Sequence, residues 1–150
     1  MALKRLVILG SDHGGLKYRK IIAENLVKLG YKIEDVGEFS EEPSDYPDIA
    51  KKVCTEILRK KAIGILVCGT GIGVSMAANR FPGIRAAKVN NSYDAKMAKE
   101  HNDANVLCLG QRTLKIEEAL NFVNIWLESE FVKEERHVRR IKKIDDVNFN

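Results

Sequence analysis

The chain has 150 residues, 45% hydrophobic and 31% charged, with a formal net charge of +4. That size suits one domain with a respectable core, and the charge is too modest to imply nucleic acid by itself. Its three cysteines, Cys54, Cys68 and Cys108, form no C-x-x-C pair and no even-numbered disulfide framework, which favours a reducing compartment. The opening segment from Met1 to Gly10 has a basic flank but an apolar run too short for a signal peptide, and no other run approaches a membrane span. The sequence therefore predicts a cytoplasmic protein with no membrane partner.

Short β-branched runs alternate with helical patterns along the whole chain. A strand from Leu6 to Gly10 is followed by an amphipathic helix from Leu16 to Leu29, closed by Gly30. Further strands are predicted at Lys32 to Val36, Ile63 to Val67, Ile84 to Val89 and Val106 to Leu109. Helices separate them at Tyr46 to Lys60, Gly73 to Arg80 and Tyr93 to Lys99, and another follows at Lys115 to Leu127. A last basic helix, from about Glu130 to Lys143, reads as an appendage. With no linker, repeat or low-complexity segment, residues 1–150 read as one α/β sandwich of five parallel strands. The common strand order 2-1-3-4-5 would set the carboxyl ends of the first and third strands side by side at the switch point where such sheets bind ligands.

Both of those ends carry chemistry. The run Ile63-Gly64-Ile65-Leu66-Val67 leads into Cys68-Gly69-Thr70-Gly71-Ile72-Gly73, a thiol followed by a glycine-rich loop that opens a helix. The free N–H groups of such a loop and the helix start face one small volume and favour an anion there, a thiolate included. The other reading of Cys68 is a small hydrophobe ending a buried strand, which Cys54 and Cys108 also suggest for themselves. The first strand ends in Ser11-Asp12-His13-Gly14-Gly15, adding a carboxylate and an imidazole. Asp12 also suits a helix N-cap, and His13 a backbone hydrogen bond.

A dinucleotide fingerprint G-x-G-x-x-G is excluded by spacing, since its last position would fall on Val74 or Met76. His13, His101 and His137 are scattered and lack zinc spacing.

Five segments together carry a resemblance: Ser11-Asp12-His13-Gly14-Gly15, Asp45-Tyr46-Pro47, Cys68 to Gly73, Ala77-Ala78-Asn79 and His101-Asn102-Asp103-Ala104-Asn105. In collinear order over nearly the whole chain they resemble the type B ribose-5-phosphate isomerase family, which includes galactose-6-phosphate and allose-6-phosphate isomerases. The resemblance implies a Rossmann-like three-layer sandwich, working as a homodimer or dimer of dimers without metal or cofactor on a phosphorylated sugar. It implies that Cys68 is the base moving the proton between C1 and C2, assisted by Thr70, and that His101 is the ring-opening acid. Asp12 and Asn102 would bind sugar hydroxyls. The amides of Gly69, Thr70, Gly71, Ile72, Gly73 and Val74 would hold the enediolate oxygen, and His13, Arg112, Arg136 and Arg140 the phosphate. Some members carry a glutamate where this chain has Val74, and a glycine where it has Cys68.

The residue types suit that chemistry independently, because proton transfer between adjacent carbons needs one base and fixed donors for the developing oxyanion. Arg136 and Arg140, four apart on one helix, suit a phosphate, although with Lys133 and Lys143 they could equally be a solvated basic face. The expected reaction interconverts ribose 5-phosphate and ribulose 5-phosphate. A hexose 6-phosphate of allose or galactose is the first alternative, and a nucleotide-binding regulatory module the second. Because Cys68 follows the third strand while His101 precedes the fifth, the two should lie at opposite ends of the sheet. A two-fold dimer would then bring His101 and Asn102 into the partner's crevice.

Overall fold

The computed structural model describes residues 4–147. Five strands, β1 (Val7–Ser11), β2 (Ile33–Asp35), β3 (Ile63–Cys68), β4 (Ala86–Lys88) and β5 (Val106–Gly110), form one sheet in which every pairing is parallel. Six α-helices accompany them: α1 (Leu16–Lys28), α2 (Tyr46–Lys60), α3 (Ile72–Ala78), α4 (Ser92–Glu100), α5 (Ile116–Glu128) and α6 (Glu135–Asp145). A single 3-10 turn, His13–Gly15, joins β1 to α1.

Side chains alternate across the three central strands, which are buried on both faces as parallel strands under two helical layers must be. Val7, Leu9, Ile65, Val67, Leu107 and Leu109 enter one core with residues of α1, α4 and α5, among them Ile22, Leu26, Ala95 and Trp126. Ile8, Leu66, Cys68, Val106 and Cys108 enter the other with Ile49, Val53, Cys54, Val74 and Ala78 of α2 and α3. All three cysteines therefore lie in the core between the sheet and the α2/α3 layer, Cys54 from α2 and the other two from the strands. This is the expected three-layer sandwich.

The strand order differs from the expected 2-1-3-4-5. It is β2-β1-β3-β5-β4, with the last two strands exchanged. The reason is apolarity: β5, Val-Leu-Cys-Leu-Gly, is buried throughout and can fill an inner position, whereas the three-residue β4 ends in Lys88 and is only half-buried. Short, partly polar strands belong at sheet edges. The exchange has a consequence for the site, because Cys68 then pairs in register with Gly110 and the Gln111–Arg112 corner falls beside the thiol.

The last helix also differs from its expected extent. Residues 130–134 are not helical, and Val132 N–H bonds the carbonyl of Glu100 at 2.9 Å before α6 begins. Far from being an appendage, α6 buries His137 against the body of the chain.

Candidate active site

Cys68 is the last residue of β3 and only 4% exposed. Its Sγ accepts the N–H of Gly71 at 3.1 Å, because the chain reverses at Gly71, whose φ of +80° is cheap only for glycine. Ile72 N–H donates to Thr70 Oγ1 at 3.2 Å. Two of the loop amides expected to serve a ligand are thus engaged inside the loop. Those of Gly69, Thr70, Gly73 and Val74 have no acceptor among the described residues. Val74 is fully buried, packed in the core with residues of α2 and α3.

The two strand ends meet at Gly14. A Cβ on Gly14 would lie 3.3 Å from Asp12 Oδ1, 3.3 Å from the Gly69 amide nitrogen and 3.6 Å from Arg112 Nη2. A carboxylate, a free backbone donor and a guanidinium therefore converge on space that glycine alone leaves open. Asp12 is 6% exposed, yet its Oδ1 has no hydrogen-bond partner and its side chain makes no cap bond to the following turn. A buried carboxylate oxygen left unpaired is costly, and with no cap bond formed the N-cap reading does not account for Asp12. Arg112 is fixed over the loop by its own N–H bond to the Gly69 carbonyl at 2.9 Å. His13 is oriented by Ser44, whose hydroxyl accepts the His13 backbone N–H at 3.0 Å and whose N–H donates to Nδ1 at 3.1 Å. With Nδ1 accepting, the neutral ring carries its proton on Nε2. The Tyr46 ring lies against Gly73, where a Cβ would be only 2.6 Å from it.

The remaining expected residues gather elsewhere. His101 caps the end of α4, five residues before β5 begins, while Cys68 is level with the end of that strand. The rise from Val106 to Gly110 alone separates those levels by about 13 Å. At that far end the His101 ring stacks on His137, with centroids 4.3 Å apart and planes at 20°. Asn102 is exposed beside it, and Arg136 and Arg140 project from the same α6 into solvent, Arg136 bonded to Glu134 at 2.9 Å. Asp12, the Gly69 amide and Arg112 thus meet at Gly14, with His13 on the same turn after β1 and Cys68 and the glycine loop at the adjoining end of β3. His101, Asn102, Arg136 and Arg140 form a second cluster in the same chain.

A family model described as Ribose/Galactose Isomerase matches residues 7–144. The chain belongs to this family. Ribose-5-phosphate isomerase B of Escherichia coli is 38% identical over 139 residues, 92% of this chain and 93% of that protein. The structure of Clostridium thermocellum ribose-5-phosphate isomerase B is 46% identical with a TM-score of 0.91, covering 94% of this chain and 95% of that one. That of Mycoplasma genitalium ribose-5-phosphate isomerase B with bound ribulose-5-phosphate is 38% identical with a TM-score of 0.91, covering 96% of each. Like its family, this chain is an isomerase.

Several residues of consequence carried no clear signal in the sequence of this family member. Ser44 sits in an irregular segment far along the chain from His13, and nothing local marks it. His137 is the one buried residue of α6, while Ile144 on the same helix is 48% exposed, so no apolar stripe announces its burial. Burial pushes its imidazole pKa down, with His101 and the arginines at 136 and 140 adding to the effect and Glu134 opposing it. Burial likewise pushes the Cys54 thiol up to about 12 and that of Cys108 well above its ordinary range, as packing residues require. Among the described residues no three His, Cys, Asp or Glu side chains are grouped to hold a metal ion, and no helix is long and apolar enough to cross a membrane.

Proposed function

We propose that the chain interconverts ribose 5-phosphate and ribulose 5-phosphate through an enediolate. The observation that carries this reading is the convergence of Asp12, the Gly69 amide and Arg112 on Gly14, beside a thiol at the strand end. In the open-chain aldose, Cys68 as thiolate takes the proton from C2 and the electron pair moves onto O1. Amides of the glycine loop hold the developing oxyanion, Thr70 steadies the loop around the base, and Asp12 binds sugar hydroxyls. A proton passes from O2 to O1, and Cys68 returns its proton to C1 to give the ketose. General-base transfer and fixed donors each lower such a barrier substantially. His13 and Arg112 serve the phosphate. The names of the relatives, and the ribulose-5-phosphate bound to the Mycoplasma genitalium structure, support the pentose substrate.

Within this reading the site is shared between two chains of a homodimer or dimer of dimers. The cluster of His101, Asn102, Arg136 and Arg140 lies at the wrong end of its own sheet for Cys68, but as a unit it could enter a partner's crevice, His101 opening the ring and the arginines binding phosphate. Tyr46, Ile72 and Met76, exposed large apolar side chains around the glycine loop, are the surface such a partner would cover.

Turnover of the purified protein on pentose 5-phosphates and hexose 6-phosphates, without added metal or nicotinamide, tests the proposal. The expected result is aldose–ketose exchange with the highest kcat/KM on ribose 5-phosphate. A higher value on allose or galactose 6-phosphate would overturn the substrate. Salt-sensitive nucleic-acid binding without turnover would overturn the reaction.

A further inference from the structure

Arg85, just before β4, has a side chain only 17% exposed and joins two pieces of the His101 cluster. Its Nε donates to the Asn102 carbonyl at 3.0 Å and its Nη2 to the Asp103 carbonyl at 3.0 Å. Its Nη1 bonds both carboxylate oxygens of Asp145, at 3.1 and 2.9 Å. The first two contacts hold the turn that follows His101, where Asp103 has a left-handed φ of +42°. The third holds the last residue of α6. The backbone of Arg85 is itself anchored, its N–H on Asn105 Oδ1 at 2.8 Å and its carbonyl on the Asn105 N–H at 3.0 Å. A planar fork with fixed donors makes all these contacts at once, which a lysine cannot.

The opposite end of α6 has separate ties to the same region, the His101–His137 stack and the Val132 bond to Glu100. Arg136 and Arg140 lie on the helix held between these ends. From His137 to Asp145 the helix runs about 12 Å, so freeing the Asp145 end lets it pivot about His137 and displaces Arg140 more than Arg136.

We propose that Arg85 is a positioning residue that locks the His101–Asn102 turn and α6 into one body, fixing the span between ring-opening and phosphate-binding groups and hence the carbon-chain length of the sugar phosphate accepted. The inference rests on the proposed function. A hexose 6-phosphate is longer by one carbon–carbon bond, a difference that a fixed span rejects and a loosened one tolerates.

The test uses Asp145→Asn, which removes the charge and one of the two acceptor oxygens that tie α6 to Arg85 while leaving the turn held, together with Arg85→Ala and the double variant. Ribose 5-phosphate, allose 6-phosphate and unphosphorylated ribose are the substrates. For Asp145→Asn the expected result is a KM for ribose 5-phosphate raised about tenfold with kcat little changed, as for lost ground-state binding. The preference for ribose 5-phosphate over allose 6-phosphate should shrink by a similar factor, and turnover of unphosphorylated ribose should be unaffected. In the Arg85→Ala background the Asp145→Asn effect should vanish, as it must when the two act as a pair. If Arg85→Ala fails to fold, Asp145→Asn decides alone. Native KM and selectivity in Asp145→Asn would overturn the inference and leave the proposed function standing, as would equal losses on phosphorylated and unphosphorylated sugars. A native protein without ribose 5-phosphate turnover would overturn both.

Discussion

The rings of His101 and His137 stack at 4.3 Å, joining the end of α4 to the start of α6. The stack has an electrostatic consequence. Burial, helped by His101, Arg136 and Arg140 against Glu134, lowers the pKa of His137 in the folded chain. The unfolded chain protonates this residue near pH 6.5, so below that pH it binds more protons than the native state. Stability should therefore fall as the pH drops from about 6.5 towards the lowered native value and then level off. Denaturant midpoints measured from about pH 7.5 downward should decline more steeply in the native protein than in His137→Phe. Equal slopes would contradict the assignment.

Replacing Cys68 by serine keeps an acceptor for the Gly71 N–H while removing the thiolate. It should lower kcat on ribose 5-phosphate by about 10³-fold or more, with the thermal midpoint little changed. Val74 stands where a carboxylate base occurs in some relatives and is wholly buried, so no second base replaces the thiol. Alkylation should also inactivate the enzyme, and ribose 5-phosphate should protect it. Retained activity in Cys68→Ser would remove the thiol from the mechanism.

Arg136→Ala and Arg140→Ala should each raise the KM for ribose 5-phosphate by about ten- to a hundredfold, the range of a lost charge-assisted hydrogen bond, and barely alter turnover of unphosphorylated ribose. Both are exposed on α6, so folding should be unaffected. Steady-state kinetics on the two sugars separates loss of phosphate binding from general damage, which would reduce both.

Proton transfer by a thiolate among backbone donors needs no Lewis acid. Exhaustive chelation should therefore leave kcat/KM unchanged. Activity lost to chelation and restored by one divalent cation would overturn this expectation.

The central strands are legible in the sequence because each is a short continuous apolar run, as a strand buried on both faces must be, and the loops after β1 and β3 stand out as contiguous glycine-containing segments at strand ends. The sequence did not reveal that β5 would displace β4 inward. That choice depends on competition between two strands for buried positions, and Lys88 at the end of β4 was the only local hint. The sequence of α6 reads as an appendage because its charged residues dominate and a single histidine, His137, is buried. The convergence at Gly14 and the Arg85 ties join segments far apart in the chain, and no local pattern encodes them. The scattered spacing of His101 and His137 concealed a direct contact.

The central claim is that two chains build each site, Cys68 from one and His101 from the other. Co-expressing differently tagged Cys68→Ala and His101→Asn chains and isolating the mixed dimer tests this directly, with cyclic ribose 5-phosphate as substrate so that ring opening is required. In a shared site one crevice carries both lesions and the other neither, so the mixed dimer should recover about half of native activity, far above either mutant homodimer. If His101 instead served the Cys68 of its own chain, every crevice would carry one lesion. A mixed dimer no more active than the separate mutants would contradict the account.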